Sequence, residues 1–136
     1  MPRFFVLEDE PLIAAMLADW LEQQGHSVVA LAHTASEALV IVDRLQVDAA
    51  ILDIKVRDGA AYPVAEKLRQ RRIPFLFATA CEKSGIEADF RQEMSVCKPF
   101  EFDLLSEKLH DVLARSIHRT LAEGSSGSTQ FAASGA

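Results

Sequence analysis

The sequence predicts an α/β fold, a parallel sheet covered by helices on both faces. Three observations carry this. Short apolar runs without polar alternation, such as Phe4-Phe5-Val6-Leu7 and Ala49-Ala50-Ile51-Leu52, have the pattern of strands buried on both faces. Stretches with apolar residues at helical spacing alternate with these runs. Polar residues suited to phosphate or metal chemistry stand where the runs end, and open α/β sheets place their ligands beyond the C-terminal ends of the strands. The clearest case is Ala49-Ala50-Ile51-Leu52-Asp53, an apolar run that closes on a carboxylate.

In chain order, Phe4 to Leu7 is the first strand, followed at once by Glu8-Asp9-Glu10. Pro11 suits the first turn of a helix, where its missing N–H does no harm. Ile13, Leu17, Trp20 and Leu21 form the apolar face, and Gly25 stops the helix. Ser27 to Ala32 is the second strand. Thr34-Ala35-Ser36-Glu37 has the form of a capping box and starts a helix that buries Ala38, Ile41, Val42 and Leu45. Asp48 to Asp53 is the third strand, and Asp58-Gly59 marks a turn. Pro63 opens a helix carrying Val64, Ala65 and Leu68. Its basic end, Arg69, Arg71 and Arg72, suits the helix dipole. Pro74 to Thr79 is the fourth strand. The stretch Glu82 to Met94 is polar, with only Ile86, Phe90 and Met94 at helical spacing, and predicts a short or mobile fourth helix. Ser95-Val96-Cys97 is a brief last strand. Phe102, Leu105, Leu109, Val112 and Ile117 line a final helix.

Five strands alternating with five helices predict a flavodoxin-like (βα)5 three-layer sandwich with sheet order 2-1-3-4-5. The 136 residues are expected to form one domain over residues 1–122, with a disordered Gly/Ser-rich tail over 123–136. A net charge of -6 and a pI near 5.1 argue against a nucleic-acid surface. No apolar run approaches the roughly 20 residues needed to span a bilayer. Two cysteines, Cys81 and Cys97, in a chain with no signal peptide fit a reducing cytoplasm and read as packing residues. A redox link between them across adjacent strands is the minority reading. His26, His33, His110 and His118 have no ligand spacing and read as surface or packing residues.

The functional candidates fall at the strand ends: Glu8 and Asp9 after the first, Asp53 at the third, Thr79 at the fourth and Lys98 after the last. In the expected strand order these ends converge on one edge. Singly, each has an ordinary explanation: an acidic pair at a helix start, a turn cap, a common strand residue, a lysine before proline. Together they form a pattern. Three carboxylates repel one another unless a cation intervenes. Hard carboxylate oxygens without His or Cys suit Mg²⁺. A carboxylate can act as nucleophile and form an aspartyl phosphate. Lys98 supplies a point charge for a phosphate oxygen and Thr79 a hydroxyl donor. A nucleophile, a metal, a cation and a hydroxyl suit phosphoryl transfer.

These residues resemble the receiver domain of two-component response regulators, from Arg3 to about Leu121. The resemblance lies in Val-Leu-Glu-Asp-Glu-Pro, Ile-Leu-Asp-Ile, the Thr after the fourth strand, and Lys-Pro-Phe. It implies that Asp53 is the phosphoacceptor and that Glu8, Asp9, Asp53 and the backbone carbonyl of Lys55 hold Mg²⁺. It implies that Thr79 and Lys98 sense the phosphoryl group, and that Lys55 and Cys81 hold positions that tune dephosphorylation. Tyr62-Pro63-Val64-Ala65 and Pro74-Phe75-Leu76-Phe77-Ala78-Thr79 are similar to the single-domain FAT-GUY subgroup, named for a Phe-Ala-Thr-Gly-apolar-Tyr motif. The chain departs from it at Ala80 and Glu82, where the subgroup has Gly and Tyr. Ser95 stands at the usual aromatic switch position, and Arg57 stands where a proline is common.

The resemblance implies a cytoplasmic signalling domain rather than an enzyme. It would be phosphorylated by a sensor histidine kinase, often of the HWE or a related type in this subgroup, or by a histidine phosphotransferase. It would act through protein contacts or as a phosphate sink, with the last helix and fifth strand as the surface for partners or a homodimer. Nucleic acid and membrane are not expected partners. The alternative within the family is a degenerate receiver that binds partners without phosphate. A phosphatase of the haloacid dehalogenase type would want a second Asp where Lys55 stands. A flavin module would want hydroxyls and amides where Glu8-Asp9-Glu10 stands.

Overall fold

The computed structural model describes residues 2–79 and 86–115. In chain order the elements are β1 (Arg3–Leu7), α1 (Pro11–Gln23), β2 (Ser27–Ala32), α2 (Ala35–Arg44) and β3 (Ala49–Asp53). There follow β4 (Lys55–Val56), β5 (Gly59–Ala60), α3 (Tyr62–Gln70), β6 (Phe75–Thr79), a 3-10 turn (Ala88–Phe90) and β7 (Ser95–Cys97). A last helix, α4, covers 102–115. The main sheet has the order β2-β1-β3-β6-β7 with every pair parallel, which is the flavodoxin-like order expected. The small β4–β5 hairpin is antiparallel and lies outside that sheet.

The two faces of the sheet bury different halves of the same strands. Phe5, Leu7, Ala50, Leu52, Phe75 and Phe77 pack under α2 and α3. Phe4, Val6, Ala49, Ile51, Leu76 and Ala78 pack under α1 and α4. The alternation follows from the period-2 geometry of a strand, and it needs apolar residues on both sides of the pleat. The central strand β3 is therefore buried at every position, Asp53 included.

The helix ends follow local chemistry. Pro11 is the first residue of α1, and Gly25, at φ +92, supplies the left-handed residue after it. Thr34 caps α2, its Oγ1 accepting the Glu37 N–H at 3.2 Å. Its hydroxyl in turn donates to the Glu37 carboxylate at 3.1 Å, so the box closes through side chains. Leu45, expected on the buried face of α2, instead follows its end and is 41% exposed. Phe102, expected to line the last helix, is 38% exposed but lies against Trp20 with ring centroids 5.3 Å apart.

The fourth helix reduces, among the described residues, to the Ala88–Phe90 turn. Its hydrogen bonds run between residues three apart, from Phe90 N–H to the Glu87 carbonyl and from Glu93 N–H to the Phe90 carbonyl. Side chains take carbonyls that a longer helix would use: Arg69 donates to Asp89 and Arg91 to Ile86. Ile86 and Phe90 are still buried, and Phe90 stacks on Tyr62 at 5.0 Å beneath the Arg69 guanidinium. Glu82, Cys81, Ile117, His118 and the tail over 123–136 lie outside the described residues. Among the described residues no helix is long and apolar enough to cross a membrane.

Candidate functional site

Parallel register aligns the strand ends. Leu7 pairs with Leu52, Asp53 with Ala78, and Thr79 with Cys97. The next residues on β1 and β7 are Glu8 and Lys98, so Glu8, Asp53, Thr79 and Lys98 share the C-terminal edge. The edge lies at neighbouring strands β1, β3, β6 and β7. Glu8, Asp9 and Asp53 each offer a carboxylate oxygen within 4.8 Å of the others.

Glu8 is 2% exposed and Asp53 7% exposed, the two buried charged residues among those described. Burial of two carboxylates side by side is costly unless a cation compensates. Lys98 supplies it: its Nζ donates to Glu8 Oε1 and, at 3.2 Å, to Asp53 Oδ2. The pair divides unequally. Burial, then the hydrogen bond and charge of Glu8, push the Asp53 carboxyl up to about 7, against the pull of Lys98. Burial also pushes Glu8 upward, but hydrogen bonds from Lys98, Asp53 and the Glu10 N–H outweigh it and lower its pKa. Burial disfavours the Lys98 cation, but its bond to Glu8 and the charge of Asp53 outweigh this and raise its pKa. Proton affinity in the site is thus concentrated on Asp53, while Glu8 and Lys98 are each pushed toward their charged forms.

The loop that carries the acidic pair is held at every carbonyl. The Glu8 carbonyl accepts from His33 Nδ1 at 2.8 Å, which places the proton on that nitrogen. The Asp9 carbonyl accepts from Arg57 Nη2 at 2.9 Å, and the Glu10 carbonyl accepts from the Ala14 N–H at 2.9 Å. Asp58, beside Arg57, is itself tied down. The Asp58 carboxylate accepts from the Ala35 and Ser36 N–H groups and from the Ser36 hydroxyl, capping the start of α2. Those bonds, the Ala35 N–H first, lower the Asp58 pKa.

His33, read from sequence as a surface or packing residue, therefore braces the acidic loop. Arg57 and Asp58 were visible only as a departure from a motif and as half of a turn. No spacing rule reports a contact across 48 residues, the separation of Arg57 from Asp9.

Thr79 is half-buried at the end of β6, and its carbonyl accepts the Lys98 N–H at 2.7 Å. Lys55 is exposed at the start of β4, two residues from Asp53. The Lys98–Pro99 peptide is cis. Cys97, expected to be a packing residue, is instead exposed and disulfide-bonded, which revises the reading of a chain without disulfides. The chain's other cysteine is Cys81, outside the described residues.

The chemistry of the donor set fits Mg²⁺. Three oxygen donors converge with no sulfur or imidazole among them, and a divalent cation would favour the ionised form of Asp53.

Residues 4–110 match the family model described as the response regulator receiver domain. The chain is 34% identical over 104 residues to the Phyllosphere-induced regulator PhyR of Methylorubrum extorquens, covering 73% of this chain and 39% of that protein. It is 31% identical over 120 residues to the transcriptional regulatory protein TcrA of Mycobacterium tuberculosis, covering 83% of this chain. It spans 46% of the length of TcrA, so these relatives are more than twice its matched length. Among solved structures, SdrG from Sphingomonas melonis Fr1 superposes with a TM-score of 0.74 at 39% identity, covering 83% of this chain and 97% of SdrG. With this family model matched over most of its length, the chain belongs to the response regulator receiver domain family.

Proposed function

We propose that this chain is a phosphoacceptor switch in which Asp53 takes a phosphoryl group from a histidine kinase or a histidine phosphotransferase. The observation that carries this reading is the meeting of Glu8, Asp9, Asp53 and the Lys98 ammonium on one sheet edge. Glu8, Asp9, Asp53 and the Lys55 carbonyl would hold Mg²⁺, which when bound shields the incoming phosphoryl oxygens from the carboxylates.

The chain's own groups account for the remainder. The ionised Asp53 carboxylate is the nucleophile, and a short strand buried on both sides holds it still. Lys98 is already aimed at Asp53, so its ammonium meets a phosphoryl oxygen there with little rearrangement. Thr79, on the neighbouring strand end, offers its hydroxyl to another oxygen. Both residues lie on the chain path around the 86–94 segment, which contains only a 3-10 turn. A new charge at Asp53 would bias that segment, and weakly structured segments suit switching.

The signal would leave through protein contacts, on the face of α4 and β7, or the chain would act as a phosphate sink or relay intermediate. The same face could form a homodimer, which sedimentation with and without a phosphoryl mimic would show. The FAT-GUY similarity supports a kinase of HWE type. The solved neighbours include an anti-anti-sigma factor PhyR from Bartonella quintana, a precedent for output by binding another protein.

The test is phosphotransfer from a small phosphodonor to wild type and to Asp53→Asn, with Mg²⁺ and with chelator. Label on wild type alone, lost with chelator, supports the reading. Label on Asp53→Asn names a different acceptor. No label on wild type would favour a receiver that binds partners without phosphate.

A further inference from the structure

We propose that Arg57 is a specificity-determining residue that binds the phosphoryl group of the incoming donor at the rim of the Asp53 site. The proposal rests on the reading of Asp53 as phosphoacceptor and adds the chemistry of what is recognised there, a dianionic phosphoryl donor.

Arg57 is exposed in the turn between β4 and β5, and Nη2 donates to the Asp9 carbonyl at 2.9 Å. Asp9 also contributes a carboxylate to the cluster, so the guanidinium is fixed within a residue's reach of it. Its acceptor is a neutral carbonyl. Among the described residues Arg57 forms no ion pair with a carboxylate, although it bonds the backbone of Asp9, whose own carboxylate lies in the cluster with Glu8 and Asp53. A guanidinium has five donors in a planar fork, and one is used here. The hairpin that holds it is stiffened on both flanks. Asp58 caps α2, and the Ala61 N–H donates to the Ile54 carbonyl at 2.8 Å. The cation is thus positioned in advance rather than swinging on a free loop.

Such a cation answers a real difficulty. The cluster is rich in negative charge, with Lys98 already engaged by two carboxylates. A phosphoryl dianion approaching it is repelled. A guanidinium at the rim offers a bidentate site for two phosphoryl oxygens on the approach. With acetyl phosphate, an Asp53 oxygen forms the new bond to phosphorus while the bond from phosphorus to the acetyl oxygen breaks. That electron pair leaves with acetate, and no proton is required.

The test uses the full chain and acetyl phosphate, with labelling rate measured against donor concentration for wild type, Arg57→Lys and Arg57→Gln. Gln removes the charge, and Lys keeps it on a long side chain. The expected result is a fall of about tenfold in the second-order rate constant for Arg57→Gln. Arg57→Lys restores part of it, the dependence on salt becomes shallower in Arg57→Gln, and Mg²⁺ affinity by calorimetry stays within about twofold. Equal rates for Arg57→Gln and wild type would overturn the proposal. So would a parallel loss of Mg²⁺ affinity, which would make Arg57 a brace for Asp9 alone. No label on wild type would strike first at Asp53 as acceptor, and the proposal would fall with it.

Discussion

Lys98 reaches Asp53 at 3.2 Å while holding Glu8 with the same ammonium, so one cation serves two buried carboxylates, and the three residues come from three strand ends. The arrangement gathers at this edge the two buried charged side chains found among the described residues.

Replacing Lys98 with Met exposes the cost of their burial. Glu8 and Asp53 would face each other without a cation, and folding should weaken by about 2 kcal/mol at neutral pH. The loss should shrink toward pH 5, where a proton can take the place of the ammonium. Urea unfolding at both pH values checks this, and an equal loss at both would contradict it.

Asp53 itself should cost stability when ionised. Its folded pKa of about 7 lies above the usual 3.8, so the folded state binds the proton more tightly than the unfolded chain. Stability from this group is full below the unfolded value and falls as pH rises through about 7. Asp53→Asn should therefore raise stability at pH 8, by on the order of 2 kcal/mol, and hardly at all at pH 4. Glu8 runs the other way: its lowered pKa gives stability above the unfolded value that is lost as pH falls. Thermal unfolding of both proteins from pH 4 to 8 separates the two.

Mg²⁺ should compete with the same proton. Below about pH 7 binding must release it from Asp53, so affinity should fall roughly tenfold per pH unit. Above that the dependence should flatten. Calorimetric titration at pH 6, 7 and 8 reads the slope, and chelator should return the protein to its metal-free melting temperature.

Phe90 anchors the 86–94 segment through Tyr62, Phe77 and Arg69. Phe90→Ala should cost about 3 kcal/mol and speed amide exchange from Ile86 to Met94 before the sheet is affected. Uniform acceleration across β1 and β3 would show instead that the segment is part of the global core.

Asp58→Ala should loosen the first turn of α2 and the hairpin together, because one carboxylate holds both. Faster exchange at the Ala35 and Ser36 amides, with β3 unchanged, is the expected pattern.

The sheet was legible because its information is local. An apolar run such as Ala49 to Leu52 can satisfy its backbone and bury both faces in few ways, and alternation with helices leaves the parallel order. The convergence of Glu8, Asp53, Thr79 and Lys98 followed from that order alone, since each stands at a strand's C-terminal end. The β4–β5 hairpin was only half legible, with Asp58-Gly59 as its trace, because two-residue strands bury too little to leave a pattern. The fourth helix was legible as a weakness. Its outcome, a 3-10 turn whose Asp89 carbonyl accepts from Arg69 of α3, involves a contact 20 residues apart that no local pattern reports.

Sequence by itself thus determined the fold, the family and the residues at the site's edge, since these depend on periodicity and on residue type at element ends. Only the tertiary structure decided how their charges are shared. Lys98 bridging Glu8 and Asp53, His33 and Arg57 gripping the acidic loop, and the raised pKa of Asp53 are products of burial and of distances across the chain. Burial and through-space charge act between residues 25 to 90 positions apart here, and no local pattern encodes such separations.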